Sequence, residues 1–321
     1  MTPARSDIPP ALGDVFRVGH ARALGVTHAR LRARDLDSPF WGVRTGAERA
    51  DAETTDAEAR RRVLDYVPRM VPGSFFTHIS AAVLWRIPVP VAPDGPVHIG
   101  VHAPHRQPRG SGVRGHKLLP ELALLRDLDG VSVACPASTW AQLASMLSMR
   151  DLVAVGDAIV RVPRLHGGLP GDPASALGTI EQLQAAIDAG RRVGIDKLRE
   201  ALPLIRPGAS SRPETHLRLD LDDGVLPTPA LDFEVRDDAG RLLGITEIAY
   251  PEFRVAVEYE GDHHRTSKDQ WNRDIEKQRA YAAAGWAMVR LTSEHLYGGG
   301  IPARTLVRAA LRRAGWRPNA G

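Results

Sequence analysis

Apolar and polar positions alternate most regularly near the C-terminus, where Val255-Ala256-Val257-Glu258-Tyr259-Glu260 reads as a strand. Successive strand side chains point to opposite faces, so Val255, Val257 and Tyr259 share one side while Glu258 and Glu260 share the other, about 7 Å apart. The same patterning predicts strands at 231–237 and 242–250 around an Asp238-Ala239-Gly240-Arg241 turn, then a bend at Pro251 into 254–260. A helix over 268–285, a strand over 286–292 and a final helix over 302–314 complete this region. Just before it, Ser211 is an N-cap, Pro213 and Glu214 occupy a first helical turn, and Leu217 and Leu221 form the apolar stripe.

Nearer the N-terminus the pattern predicts a helix from Val15 to Leu24, a tight turn at Gly25-Val26-Thr27 and a second helix from His28 to Leu36. A strand pair around Trp41 to Arg44 follows. That is the layout of a winged helix-turn-helix with Thr27 as N-cap, and the alternative is a helical hairpin that only packs on its neighbour. Residues 59–87 read as two helices, with Phe76, Ile79, Val83 and Ile87 at helical spacing. Extended segments at 97–104 and within 115–134 flank a loop carrying Arg106, Arg109 and Arg114, suited either to phosphates or to solvent. One helix is predicted over 138–161, capped by Ser138. Residues 165–178 are rich in Gly and Pro and read as a linker, and one or two helices cover 179–205. The expected domains are 1–58 (winged helix-turn-helix), 59–165 (a small α+β domain), 166–204 (linker and helices) and 205–321.

Composition narrows the picture only a little. With 43% hydrophobic and 25% charged residues over 321 positions, the chain is globular and long enough for more than one core. Its single cysteine, Cys135, excludes an internal disulfide and a thiolate zinc site, which suits a reducing cytoplasm. No apolar run is long enough to span a bilayer, so a soluble, cytoplasmic protein without a membrane partner is expected. The net charge is +4, and only Lys117, Lys197, Lys268 and Lys277 are lysines among 42 basic residues. Arginine's planar fork suits phosphate, and on a DNA-reading second helix His28, Arg30, Arg32 and Arg34 would face the groove.

The chemistry gathers around acids. Glu247 shares a strand face with Ile245 and Ala249 and precedes Glu258 by 11 residues, so neighbouring strands about 4.8 Å apart bring the two level if their pleats match. Clustered carboxylates repel one another and are tolerated where a hard cation neutralises them, which points to Mg²⁺, with Mn²⁺ as substitute. Such an ion acidifies bound water and offsets charge on a scissile phosphate. The competing reading is the wet face of an antiparallel hairpin. Asp232 and Glu234 stand in for the first acid should the register differ. On the following helix Arg273 and Lys277 share a face, able to hold a phosphate or to form a salt-bridged surface, and Asp274 is placed to orient a histidine. Trp271, Tyr281 and Trp286 occupy apolar positions and read as core, whereas Arg290, between Val289 and Leu291, points opposite those two neighbours and toward the acids.

The pieces SRPETHLRL, DDAGRLLG, TEIAYPEFRVAVEYEGDHHR, WNRDIEKQR and AGWAMVRLT, in this order over about 205–297, resemble endonuclease domains related to the very-short-patch mismatch-repair nuclease, within the PD-(D/E)xK superfamily. The resemblance implies a restriction-endonuclease-like mixed-sheet core, metal ligation by Glu247, Glu258 and Glu260, a supporting Glu214, and a Gly-x-x-His element landing on Gly261 and His264. This chain departs from the pattern where Glu247 and Glu260 replace Asp, and where Glu260 fills the slot of the superfamily's lysine. Water activation would then fall to the metal, with His264 or His263 as the proton carrier. Residues 15–165 resemble the N-terminal part of AbiEi-type antitoxins through HISAAVLWRIP and PASTWAQLA. Together these give an α/β chain expected to be a Mg²⁺-dependent DNA endonuclease targeted by an N-terminal DNA-binding module. The alternative is a non-catalytic, antitoxin-like DNA-binding regulator with a relic nuclease fold and a toxin partner. Either form is compatible with a homodimer.

Overall fold

A computed structural model describes residues 7–46, 52–165, 168–222, 224–261 and 268–318. Helices and mixed sheets alternate along the chain, which is of mixed α/β class. Two units separate: Met1–Ser145 with Gln182–Ile195, and Met146–Glu181 with Asp196–Gly321. No helix among the described residues is long and apolar enough to cross a membrane.

The first unit opens with β1 (Val15–Arg17), α1 (Val18–Ala23), β2 (Leu36–Asp37) and β3 (Val43–Gly46), in an antiparallel sheet of order β1-β3-β2. Leu12, Phe16, Ala21, Val26 and Leu31 form its core. The second helix expected over His28–Leu36 is not formed: that stretch holds a single 3₁₀ turn, Arg30–Arg32, before β2. The residue at its N-cap is Ala29, not Thr27 as expected, although Thr27 Oγ1 accepts the Arg30 N–H at 3.2 Å. Only Leu31 is buried there, so no helical stripe exists to fix a longer helix, and Asp35 instead bends back to Arg30 at 2.8 Å. Val15–Arg17 is likewise strand rather than helix, since pairing with β3 buries Phe16.

The rest of this unit comprises α2 (Thr55–Asp65), β4 (Ser74–Phe76), α3 (His78–Leu84), β5 (Val97–His102), β6 (Val113–Leu118), β7 (Leu125–Leu128), β8 (Val131–Ala134) and α4 (Pro136–Leu143). Thr54 caps α2, accepting from Ala57 N–H at 3.1 Å, with Asp56 and Glu58 in the first turn where the helix dipole favours acids. The five strands order as β6-β5-β4-β8-β7. Phe75, Phe76, Ile99, Val133 and Trp140 are wholly buried. Phe76 thus belongs to a strand, not to the helix expected around it, because β4 is the central strand of this sheet.

In the second unit, α5 (Met149–Val160) is separate from α4, where one helix over 138–161 was expected. Ser148 caps α5 afresh, accepting from Asp151 N–H at 3.2 Å. Two helices follow, α6 (Ile180–Asp188), most of which belongs to the first unit, and α7 (Ile195–Ala201). Then come α8 (Arg212–Leu221), β9 (Ala230–Arg236), β10 (Leu242–Tyr250), β11 (Val255–Glu260), α9 (Lys268–Ala283), β12 (Ala287–Thr292), α10 (Ser293–Tyr297) and α11 (Ala303–Arg313). These strands order as β12-β11-β10-β9, with β11 and β12 parallel and the other pairs antiparallel. One sheet face packs Ile248, Tyr250, Val255, Val257 and Leu291 with Leu217, Leu221, Val307 and Leu311 from α8 and α11. The other packs Val235, Ala249 and Ala256 with Tyr281 of α9 and Trp286, so Tyr281 and Trp286 are core residues as expected.

Candidate functional site

Strand parity delivers the acids to one face. The register Ile248↔Val257 sets Glu247 level with Glu258, on the face that packs against α9. The Glu247 carboxylate accepts the Tyr259 N–H at 2.8 Å across the pair. Burial, then the neighbouring carboxylate of Glu214, push its pKa up to about 8; Glu258 adds to this, while the Tyr259 N–H and Lys277 oppose it. Glu214 enters from the first turn of α8, where Ser211 caps the helix and the Ser210 N–H donates to the carboxylate at 2.6 Å. Burial raises its pKa too. Glu247 is thus brought into electrostatic range of both Glu214 and Glu258, the three coming from three elements.

Lys277 closes the arrangement. Its ammonium donates to Glu258 Oε1 and, at 2.8 Å, to the Ile245 carbonyl, and it sits 5.5 Å from the centre of the Tyr281 ring. A lysine of the neighbouring helix thus reaches the acid-x-acid strand. The sequence offered one signal for this, a lysine on the crossover helix of an arginine-dominated chain, which helical spacing alone assigned to a phosphate-holding surface with Arg273. Arg273 itself is exposed. Arg290 lies opposite Glu258 in the register and pairs with Glu260 at 3.0 Å, so it reaches the acids as its parity implied.

The fallback acids are both held by Arg164, which pairs with Asp232 at 2.7 Å and with Glu234 at 3.0 Å, while Asp232 also lies near enough to Glu214 to raise its pKa. His263 and His264 lie outside the described residues, as does the side chain of Trp271. The Tyr281 hydroxyl is buried without a hydrogen-bond partner, and burial and Glu258 raise its pKa. Oxygen donors that repel one another, with an orphaned hydroxyl beside them, fit a hydrated hard cation, which takes one or two carboxylates and keeps its waters.

In the first unit, Arg30 is engaged by Asp35, whereas His28, Arg32 and Arg34 are exposed on the 3₁₀ turn and the loop after it. His28 also lines a groove of about 690 Å³ with Arg17, His20, Trp41, Arg44 and Arg69. Trp41 is 86% exposed there, and the Arg69 guanidinium lies 5.6 Å from its ring centre. An exposed indole among cations has the makings of a nucleic-acid surface, and sequence reading placed Trp41 only as part of a strand pair.

No family model matches the chain. It is similar to two proteins of Mycobacterium tuberculosis, the uncharacterized protein MT2308 of strain CDC 1551 / Oshkosh and the uncharacterized protein Rv2248 of strain H37Rv. Each is 29% identical over 167 residues, covering 52% of this chain. The matched stretch spans little more than half of each relative, 57% of its length.

Proposed function

We propose that this chain is a Mg²⁺-dependent DNA endonuclease with a restriction-endonuclease-like second unit, in which Glu247 and Glu258 hold the metal and Lys277 serves the reacting phosphate. The observation that carries the reading is the juxtaposition of Glu247 and Glu258 across β10 and β11 with Lys277 on Glu258. The cation, held by these carboxylates, would supply charge neutralisation at the phosphate and a more acidic water. The residues do the rest. Lys277 carries a positive charge at the carboxylate cluster, positioned by the Ile245 carbonyl, and is placed to meet charge developing on a phosphate oxygen. Glu247, with its pKa raised to about 8, is largely protonated at neutral pH and would give up that proton on ligating the cation, a tuning that makes metal binding pH-dependent. Glu214 sustains that tuning from α8, and Arg290 draws Glu260 away from the pair.

The groove around Trp41 supports the reading that DNA is the partner, since its cations suit phosphates and its exposed ring suits base stacking. The test is a nicking and linearisation assay on supercoiled plasmid in Mg²⁺ and Mn²⁺. Wild-type protein is expected to cut, and Glu258→Gln to leave the plasmid intact; cutting by both overturns the assignment.

One observation favours a second reading, a DNA-binding regulator that has lost turnover: Lys277 and Arg290 already neutralise Glu258 and Glu260 without a metal. On that reading Glu258→Gln binds DNA like wild type, and neither cleaves.

A further inference from the structure

Three histidines of the first unit converge although nothing in their spacing announces it. His78 opens α3, His98 stands on β5 and His116 on β6; in the parallel register His98↔Arg114 and Gly100↔His116, so His98 and His116 share one sheet face two positions apart. His98 Nδ1 and His116 Nε2 point at each other across 3.0 Å, and the His78 ring stacks on His116 with centres 3.8 Å apart. One ligating nitrogen from each of the three lies within 4.8 Å of the other two, the one group of three metal-ligating side chains so gathered among the described residues.

We propose that His78, His98 and His116 bind a borderline first-row metal ion, Zn²⁺ in the first instance. Zinc–imidazole bonds of about 2.0–2.1 Å in a tetrahedron set ligand nitrogens roughly 3.3 Å apart, close to the His98–His116 separation. The donors are all imidazole, without carboxylate or thiolate, which suits Zn²⁺, Ni²⁺ or Cu²⁺ and not Mg²⁺. Each neutral ring offers one lone pair, and the hydrogen bond that His98 Nδ1 and His116 Nε2 share at 3.0 Å is given up, its proton moving to the donor ring's other nitrogen, when both ligate an ion. Burial first, then the neighbouring rings and Arg114, hold His78 down to about 2; burial holds His98 and His116 down to about 4. Arg114, exposed on β6, is the charged group that opposes a cation here, and at each ring its effect is smaller than that of burial.

The surroundings are those of a held ligand set. Thr77 Oγ1 lies 3.1 Å from His78 Nδ1 and donates to Gln142 Oε1 at 2.6 Å, which leaves His78 Nε2 to face the other rings. Gln142 Oε1 also accepts the His78 N–H at 3.2 Å, and the His98 N–H donates to Ser80 Oγ at 2.8 Å. His78 adopts φ 50°, in the left-handed region, a strain that its hydrogen bonds hold in place. His78 and His98 are buried and His116 is half-buried, so three ligands anchor the ion and the fourth position is left to a water at the His116 side. This site draws on nitrogen donors of the first unit and is independent of the carboxylates of the second.

The test is calorimetric Zn²⁺ titration of untagged, chelator-stripped full-length protein, with Co²⁺ absorption in the visible as the spectroscopic readout. Wild type is expected to bind one Zn²⁺ per chain, to show tetrahedral Co²⁺ bands that Zn²⁺ but not Mg²⁺ bleaches, and to melt at higher temperature when loaded. His98→Gln and His116→Gln are expected to weaken binding by about 100-fold or more. His116, being half-buried, gives the variant whose apo-protein circular dichroism matches wild type should His98→Gln fail to fold. No binding by wild type overturns the proposal, as does binding that survives His116→Gln or that is lost on His263→Gln/His264→Gln substitution instead.

Discussion

At the scale of single residues, the function proposed for the second unit turns on how few atoms separate an ordinary salt bridge from a reactive cluster. Lys277 is half-buried against Glu258, so its removal leaves Glu247 and Glu258 with less opposing charge and a bound phosphate without a cation. Lys277→Ala is expected to lower plasmid cleavage by about 10²- to 10⁴-fold, measured as initial rates at a temperature below the variant's own melting transition. Asp151 gives a stability test away from this cluster. Burial alone would raise its pKa, yet hydrogen bonds from Ser148 and Arg212 bring it below the ordinary 3.8. The folded state therefore holds this carboxylate ionised where the unfolded chain is protonated, and its contribution is present above pH 3.8 and lost as pH falls through the lower folded value. Denaturant melts of Asp151→Asn against wild type are expected to differ above that pH and converge below it. Much at this scale was legible in the sequence: alternation alone put Glu247, Glu258 and Arg290 on one side. The partner of Lys277 was not, since α9 crosses from β11 to β12 and only the packing of that crossover decides which face of the helix meets the strand. The three histidines were invisible for the same reason, each coming from a separate element whose neighbours depend on sheet order.

Among elements, the strands and helices from α8 onward follow the sequence pattern closely, because alternation in β9, β10 and β11 and the stripes of α8 and α11 are each buried on one face. The N-terminal elements were less legible. The stretch His28–Leu36 has charged residues at helical spacing and one buried leucine, too little apolar surface to favour helix over a 3₁₀ turn and strand. The break between α4 and α5 was hidden because residues 144–148 keep helical composition and Ser148 reads equally well as interior or cap. Helix α5 also carries a buried charge whose partners lie far along the chain. Asp157 accepts from Thr215 Oγ1 at 2.8 Å, Arg218 at 2.9 Å and the Arg206 N–H at 2.7 Å, and only 1% of its surface is exposed. Asp157→Ala leaves the buried Arg218 guanidinium uncompensated and is expected to cost about 3–5 kcal/mol in urea unfolding. Next to it, a Cβ on Gly156 would lie 2.2 Å from Ile205 Cδ1, so Gly156→Ala overpacks the α5 contact, with an expected loss of about 1–3 kcal/mol.

In the whole molecule, under the proposed function, the two units would take different tasks, nucleic-acid binding around Trp41 in the first and hydrolysis at Glu247 and Glu258 in the second. Binding to short duplex DNA should weaken with rising salt, the slope counting the phosphates neutralised. Trp41→Ala is expected to weaken binding by about 1–3 kcal/mol with the slope unchanged, whereas Arg69→Ala lowers the slope by about one, both read by fluorescence anisotropy across a salt series. Equal loss of slope in both variants would make the indole a mere support for the arginine. The central claim rests on the carboxylates of β10 and β11, and it is tested most directly by a crystal soaked with Mn²⁺ and measured at its absorption edge. The account predicts one strong anomalous peak bridging the Glu247 and Glu258 carboxylates, with Lys277 turned from Glu258. A map with no peak there, and the Lys277–Glu258 pair intact, contradicts it.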